Sequence, residues 1–343
     1  MSLAISSSKR PIFVVGAPRS GTTLLRYMLC AHPHIYIPPE SNFILRFLSH
    51  EPHTPLTHAQ AVELITAVCQ YKVFFRDWQE EMLEAETFVK AFSDENRTPA
   101  NLLKTLYQQY ARQYGARRWG DKSPIYAGHV AQLAKLFPNA QFVHIIRDGR
   151  DVSLSMLKAY QGIRFFYMDL GFAAQSWKRR VQKARRAGAA LGAKHYFELH
   201  YEQLTTEPRK VLRSVCGFLG EPFVPEMVTP HHEASRHFHS RGIHGAARQP
   251  LTTKSSGRWR PEMRLSDQRL FQAMVGGLLA DLGYETVALG KLSISERVRL
   301  AALASKYTAV EAGRHMLQVA GVAHPAALMA TMTKNKGAFR FRK

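Results

Sequence analysis

The sequence predicts an α/β protein in three layers, a central parallel sheet with helices on both faces. Three observations carry that reading. Short apolar runs, PIFVVGA at 11–17, QFVHIIRD at 141–148 and HYFELHY at 195–201, alternate with stretches whose apolar residues recur at helical spacing. The first run ends in a glycine-containing loop that opens directly into a helix, the setting a phosphate loop requires. The chain has 343 residues, 45% apolar and 10% aromatic, enough for one large domain with insertions and an appendage.

Taken in order, PIFVVGA is a buried strand, and TTLLRYMLCAH (22–32) is a helix with Leu24, Leu25, Met28 and Leu29 on one face. Residues 41–117 read as a mostly helical insertion, acidic at Glu80, Glu81, Glu84 and Glu86, that caps the sheet on the acceptor side. RRWGDKSPIY (117–126) is a short strand and turn. Tyr126, Val130, Leu133 and Phe137 mark a helix that stops near Pro138. QFVHIIRD is an internal strand running into a helix at GRDVSLSML. A basic helix follows at 171–190, then the strand HYFELHY. The helix PRKVLRSVCGFLG (208–220) opens on Pro and closes on Gly, as capping physics prefers. Residues 225–264, rich in Pro, His, Gly and Arg, read as an ordered functional loop, and Leu270, Met274, Leu278 and Leu282 as one more helix. The expected division is a main domain at 1–288 and a helical extension at 289–343. Ser293 and Glu296 form a capping-box pattern at the start of the extension, and its end is basic.

Composition narrows the partners. The net charge of +21 favours anionic partners, whether a multiply charged cofactor, an acidic polymer, anionic lipid or nucleic acid, and does not choose among them. No run approaches the roughly 18 apolar residues of a membrane span. No apolar stretch of signal-peptide length precedes Arg10. Three widely spaced cysteines suggest neither a disulfide framework nor a zinc site, and fit a reducing compartment. The expectation is a cytoplasmic protein, with the basic, Phe-containing tail available for peripheral membrane contact.

The loop itself is VVGAPRSGTTLL (14–25). Gly16 and Gly21 allow the tight path that turns backbone N–H groups toward one point at the positive end of a helix. Arg19, Ser20, Thr22 and Thr23 add donors. A nucleotide triphosphatase would carry Lys at position 22 and a magnesium-binding hydroxyl after it. This loop has Thr22 and Thr23 there, with its cation inside at Arg19. It is built for a tetrahedral oxyanion, and a magnesium–triphosphate site is disfavoured.

GAPRSGTTLL resembles the 5′-phosphosulfate loop of sulfotransferases that use 3′-phosphoadenosine-5′-phosphosulfate (PAPS). The resemblance covers about residues 10–285 and implies a P-loop-like fold, with Arg19, Ser20, Gly21, Thr22 and Thr23 on the 5′ side of PAPS and adenosine 3′,5′-bisphosphate as product. FVHIIRDGRDVSLSM places Arg147 at a strand end and Ser155 on the following helix, at the spacing of the family's 3′-phosphate ligands. Read without the family, Arg147 could simply pair with Asp148 or Asp151, or Asp148 could hold Mg²⁺. Tyr201 falls where the family has a residue near adenine. TTKSSGRWRPEM (252–263) resembles the late phosphate loop, which offers Lys254, Ser255, Ser256, Gly257 and Arg258.

Sulfuryl transfer needs a proton acceptor for the incoming hydroxyl and cations for the leaving oxygen. Glu40 follows AHP at the position of the catalytic base in the tyrosylprotein branch, and Lys122 in WGDKSP matches the lysine that reaches the sulfuryl group. Arg19, Glu40 and Lys122 are therefore the expected catalytic residues. A surface ion pair is the plain alternative for Glu40, and an exposed lysine for Lys122. His144, in mid-strand, reads as a packed residue. The histidines at 231, 232, 237, 239 and 244 are not spaced as ligands on a regular element, so no metal is expected. WKRRVQKARR (177–186) is either a solvated face or a contact for an anion.

The resulting expectation is a PAPS-dependent sulfotransferase acting on a hydroxyl of a carbohydrate, tyrosine or small metabolite, with no nucleic-acid partner. Acceptor identity and oligomeric state are left open. The rivals are a P-loop kinase and a non-enzymatic basic module that binds nucleic acid or membrane.

Overall fold

A computed structural model describes residues 10–69, 84–159, 168–229, 251–288 and 290–319. Glu80, Glu81, the five histidines of 231–244 and the basic tail lie outside the described residues.

Five parallel strands form the sheet in the order β2-β3-β1-β4-β5. They are β1 (Ile12–Val15), β2 (Ile35–Tyr36), β3 (Arg118–Lys122), β4 (Gln141–Ile146) and β5 (Tyr196–His200). Alternation along β1 divides the core. Phe13 and Val15 join one apolar cluster with Trp119, Phe142 and Tyr107, while Ile12 and Val14 join another with Leu25, Val143 and Leu212. Both faces are buried, as a parallel sheet demands.

Because β1 lies in the middle and all strands run the same way, their carboxyl ends open on one edge. The phosphate loop follows β1, Glu40 follows β2, Lys122 ends β3, Arg147 follows β4, and Tyr201 follows β5. Chain topology alone thus gathers the expected site residues.

The helices are α1 (Thr22–Cys30), α2 (Ile44–Phe47), α3 (His58–Cys69), α4 (Ala85–Lys90), α5 (Pro99–Gln113), α6 (Val130–Leu136), α7 (Gly149–Ala159), α8 (Leu170–Leu191), α9 (Tyr201–Thr206), α10 (Pro208–Leu219), α11 (Trp259–Glu262), α12 (Leu265–Val275), α13 (Leu278–Asp281) and α14 (Ile294–Val319). Their ends follow local chemistry. Asp169 caps α8 by accepting from Phe172 N at 2.9 Å, and Gly220 closes α10 in the left-handed region at φ 73°. Ser293 and Glu296 make the reciprocal capping bonds expected of them. Glu84 caps α4, accepting from Glu86 N and Thr87 N.

Several elements differ from the sequence reading. The two-residue edge strand β2 is too short to carry a pattern. The helix read from Leu270 to Leu282 is two helices, because Gly276 turns the chain at φ 63°. Residues 124–128 form a 3-10 turn, so the helix read from Tyr126 begins only at Val130. Tyr201 opens a helix and does not end a strand.

The basic stretch of α8 is largely spoken for within the chain. Trp177 packs on Phe271, Arg179 pairs with Glu311, Arg185 with Glu198, and Lys178 donates to Met274 O. Helix α14 lies against α8. Leu303 meets Gly171, Tyr307 meets Phe172, and Lys306 pairs with Asp169 at 2.6 Å. Among the described residues, no helix is long and apolar enough to cross a membrane.

His144 is fully buried on β4, its Nδ1 2.5 Å from Tyr196 OH and 3.7 Å from Glu198. Burial pushes its pKa down, opposed by Glu198. In the window below about pH 6.5 the unfolded chain binds a proton there that the folded chain refuses, so stability falls as pH falls. His144→Gln should flatten the loss of thermal midpoint between about pH 7 and 5.5 in a calorimetric series. An unchanged slope would mean that other groups carry it.

Candidate active site

The phosphate loop holds its shape at some conformational cost. Arg19 is left-handed at φ 69°, a region costing a non-glycine residue about 1 kcal/mol or more, and Gly21 sits at φ 96°. Ser20 N donates to Ala17 O at 3.1 Å. A Cβ on Gly21 would lie 2.4 Å from the Tyr201 ring, and one on Gly16 would lie 2.6 Å from Ile145 O. The first N–H groups of α1 have no acceptor within their own helix and stand where the loop ends at Gly21.

Arg147 ties this loop to two others. Its guanidinium donates to Arg19 O at 2.9 Å and to Ser255 O at 2.5 Å, and lies 4.7 Å from the centre of the Tyr201 ring. Arg147 therefore pairs with neither Asp148 nor Asp151. Asp148 is gripped by Arg150 through both oxygens, at 3.0 and 2.7 Å, which cancels the charge a metal would need. Asp151 accepts from Gly257 N at 2.8 Å and Trp259 N at 2.9 Å, holding the late loop in place. Burial raises the Asp151 pKa, and Arg147 opposes the rise. Arg19 Nε donates to Ser155 Oγ at 3.1 Å, so the two expected phosphate-binding regions touch.

Within this junction Ser20 Oγ, Ser256 Oγ and Arg147 Nε are buried with no hydrogen-bond partner in the protein. Polar atoms so placed cost about 1–3 kcal/mol each unless a ligand satisfies them. They lie on segments that Arg147 joins, and all three can donate to phosphate oxygens. The late loop contributes unevenly. Ser255, Ser256 and Gly257 reach the junction, whereas Lys254 is exposed and Arg258 is paired with Glu262 at 2.7 Å.

Next to the loop lies an ion pair. Lys122 Nζ is 2.5 Å from Glu40 Oε1 and 3.3 Å from Thr23 Oγ1. Lys122 is buried, while the Glu40 side chain is about one-third exposed at 32%. Glu40 thus belongs to an ion pair, but one at the mouth of the phosphate loop rather than on an outer face. Burial pushes the Lys122 pKa down, with Glu40 as the main opposing influence.

The sequence reading missed three supports. Buried Arg26 donates to Ile37 O at 2.7 Å and anchors the approach to Glu40. Asp121 reads as part of an Asp-Lys-Ser-Pro turn and Asp151 as a possible partner of Arg147, because Ser41 for the one and Gly257 and Trp259 for the other are distant in sequence. A cluster of His32, His34 and Glu221 stands at the opposite end of α1. It is committed to hydrogen bonds: His32 Nδ1 accepts from His34 N, His32 Nε2 reaches Pro222 O, and Arg117 lies 2.6 Å from His34 Nδ1.

The profile of the Sulfotransferase family matches residues 11–225. This chain belongs to the sulfotransferase family. The match starts at β1 and spans the five strands and their site residues. Among curated proteins, the sulfotransferase is 28% identical over 286 residues to protein-tyrosine sulfotransferase 1 of Danio rerio, covering 80% of this chain and 72% of that one. It is 27% identical to protein-tyrosine sulfotransferase A of Caenorhabditis elegans, covering 65% of this chain and about half, 52%, of that protein. The fold is that of the sulfotransferase domain from the Synechococcus PCC 7002 olefin synthase, with a TM-score of 0.57 at 23% identity, covering 81% of this chain and 96% of that domain. The sulfotransferase domain from the curacin biosynthetic pathway gives 0.55 at 21%, covering 81% and 99%. The kinase and the non-enzymatic module weighed from the sequence give way to this family.

Gly21 and Gly115 both have positive φ, at 96° and 70°, but nothing lies within 4 Å of a Cβ added to Gly115. Gly21→Ala in the sulfotransferase should therefore lower stability in urea unfolding by about 1–3 kcal/mol more than Gly115→Ala. Equal losses would show that the Tyr201 contact yields freely.

Proposed function

We propose that this sulfotransferase moves a sulfuryl group from PAPS to an acceptor hydroxyl, with Glu40 as general base and Lys122 and Arg19 as the charge-stabilising cations. The observation that carries the reading is the 2.5 Å contact of Glu40 with Lys122 at the edge of the phosphate loop. A proton acceptor and a buried cation stand together where an oxyanion would be held.

The unpartnered Ser20 and Ser256 hydroxyls and Arg147 Nε fit a ligand with phosphate at both ends. Bound there, PAPS supplies the sulfuryl group, and adenosine 3′,5′-bisphosphate departs. Ser20, Thr22, Thr23 and the N–H groups after Gly21 hold the 5′ side. Arg147, Ser155 and the Ser255–Gly257 turn hold the 3′ side, with Tyr201 as a wall. Glu40 takes the proton from the acceptor oxygen as that oxygen bonds to sulfur. Lys122 and Arg19 hold the charge that collects on the leaving oxygen. Position 22, where a triphosphatase has lysine, is Thr22, which supports a donor handled without a magnesium–triphosphate site.

The two relatives named above are protein-tyrosine sulfotransferases, which supports a phenolic hydroxyl among the acceptors. The excess positive charge favours acceptors with neighbouring anionic groups.

Radiolabelled PAPS offered with a tyrosine peptide flanked by acidic residues, or with an oligosaccharide, tests the acceptor class through the labelled product. Glu40→Gln should retain binding of adenosine 3′,5′-bisphosphate by calorimetry and lose turnover by roughly 10²- to 10⁴-fold. Undiminished turnover would remove Glu40 from the role of base.

A further inference from the structure

Deepening the proposed function and resting on it, we propose that Glu202 is the positioning residue of Arg147 on the 3′ side of the donor. With Trp177 it fixes the peptide from which the Arg147 side chain rises, and so aims the guanidinium at a 3′-phosphate.

The peptide between Arg147 and Asp148 falls between two regular elements. The last register pair of β4 is Ile146 with His200, and α7 opens at Gly149. The carbonyl of this peptide, Arg147 O, accepts from Trp177 Nε1 at 3.1 Å. Its N–H, on Asp148, donates to Glu202 Oε1 at 3.0 Å. A bond on each polar atom of one rigid peptide fixes its plane from both sides. Trp177 is fully buried against Phe271, and a Cβ on Gly149 would lie 2.6 Å from its ring, so the indole has little room to shift. Half-buried Glu202 is held in turn. Tyr284 OH donates to its Oε2 at 3.1 Å, and His200 Nδ1 lies 3.1 Å from the same hydroxyl. That hydroxyl has one proton, which goes to Glu202, so His200 Nδ1 is the donor to Tyr284.

The opening of α9 thereby serves both ends of Arg147. Tyr201 sets its ring 4.7 Å from the guanidinium, and the next residue, Glu202, holds the backbone. Between those supports the guanidinium reaches Arg19 O and Ser255 O and keeps Nε for the ligand. A small rotation of the root peptide grows along the flexible arginine stem, and a hydrogen bond weakens steeply once it leaves line. A ligand-binding group has to be held to within about 0.5 Å by what surrounds it. The role assigned to Glu202 needs an oxygen that accepts from Asp148 N and needs no charge. Glutamine can supply that oxygen, and alanine cannot.

The test compares two nucleotides by calorimetry. Adenosine 3′,5′-bisphosphate has both phosphates, and adenosine 5′-monophosphate lacks the one that Arg147 is assigned. The ratio of their affinities isolates the 3′ side, and general loosening of the site lowers both affinities and leaves the ratio alone. Glu202→Ala should lower the ratio about tenfold, and Glu202→Gln should keep it within a factor of about three of the native value. Thermal melting without ligand checks that each variant is folded. Should Glu202→Ala not fold, Glu202→Asp draws the carboxylate back from Asp148 N and should lower the ratio in the same direction. A native ratio in the alanine or aspartate variant would overturn the proposal, as would a glutamine variant that loses as much as alanine. A native protein with no preference for the bisphosphate would instead overturn the 3′-side assignment of the proposed function, and this proposal with it.

Discussion

The site depends on one guanidinium divided between two carbonyls. Arg147 stands at the end of an interior strand and donates to the phosphate loop at Arg19 O and to the late loop at Ser255 O. These segments are 108 residues or more from Arg147 in sequence, so helix or strand propensity cannot bring them together. Arginine suits the task, because its planar, permanently charged fork can reach separate acceptors while a remaining N–H faces elsewhere. Here that remaining donor is Nε, buried without a protein partner. The residue is thus a tie between loops that keeps one donor unused, the donor that the proposed function gives to phosphate.

Around that tie, charge is arranged in layers. Carboxylates that could compete for the ligand-binding cations have other partners: Asp148 is held by Arg150, Asp151 by two backbone N–H groups, and Glu202 by Asp148 N and Tyr284 OH. Arg150 in turn lies 3.4 Å from the centre of the Trp259 ring, which joins α7 to the late loop. Only Asp148 is matched by a cation, while the oxygens of Asp151 and Glu202 are occupied by neutral N–H and O–H donors. A large net charge becomes useful to an anionic ligand only when the local acids are occupied in this way.

The sequence made much of this legible, for definite physical reasons. Strand, glycine loop and helix follow one another within twenty residues, so the phosphate loop could be read directly. Arg147 was visible as a cation at the end of an apolar run, and Glu40 and Lys122 through their family motifs. The supports were not visible. Asp121 lies 80 residues from Ser41, and an Asp before Lys-Ser-Pro looks like a turn former. β2 has only two residues and is recognisable through its pairing with β3. The Leu270–Leu282 periodicity survived a helix break because Gly276 and Gly277 fall between Met274 and Leu278 without changing their four-residue interval. Local pattern reports which residues are apolar together, and long-range hydrogen bonding decides what the polar ones do.

The packing of α14 has a bearing on where this molecule may be divided. The family match ends at residue 225, yet Phe271 covers Trp177, whose indole donates to Arg147 O, and Leu303 closes over Gly171 at the start of the same helix. The length of chain that cooperates in folding therefore exceeds the length that performs the chemistry. A fragment trimmed to the recognisable motif would keep its named functional residues from β1 to β5 and forfeit the late loop and the buttress behind the strand end on which they converge.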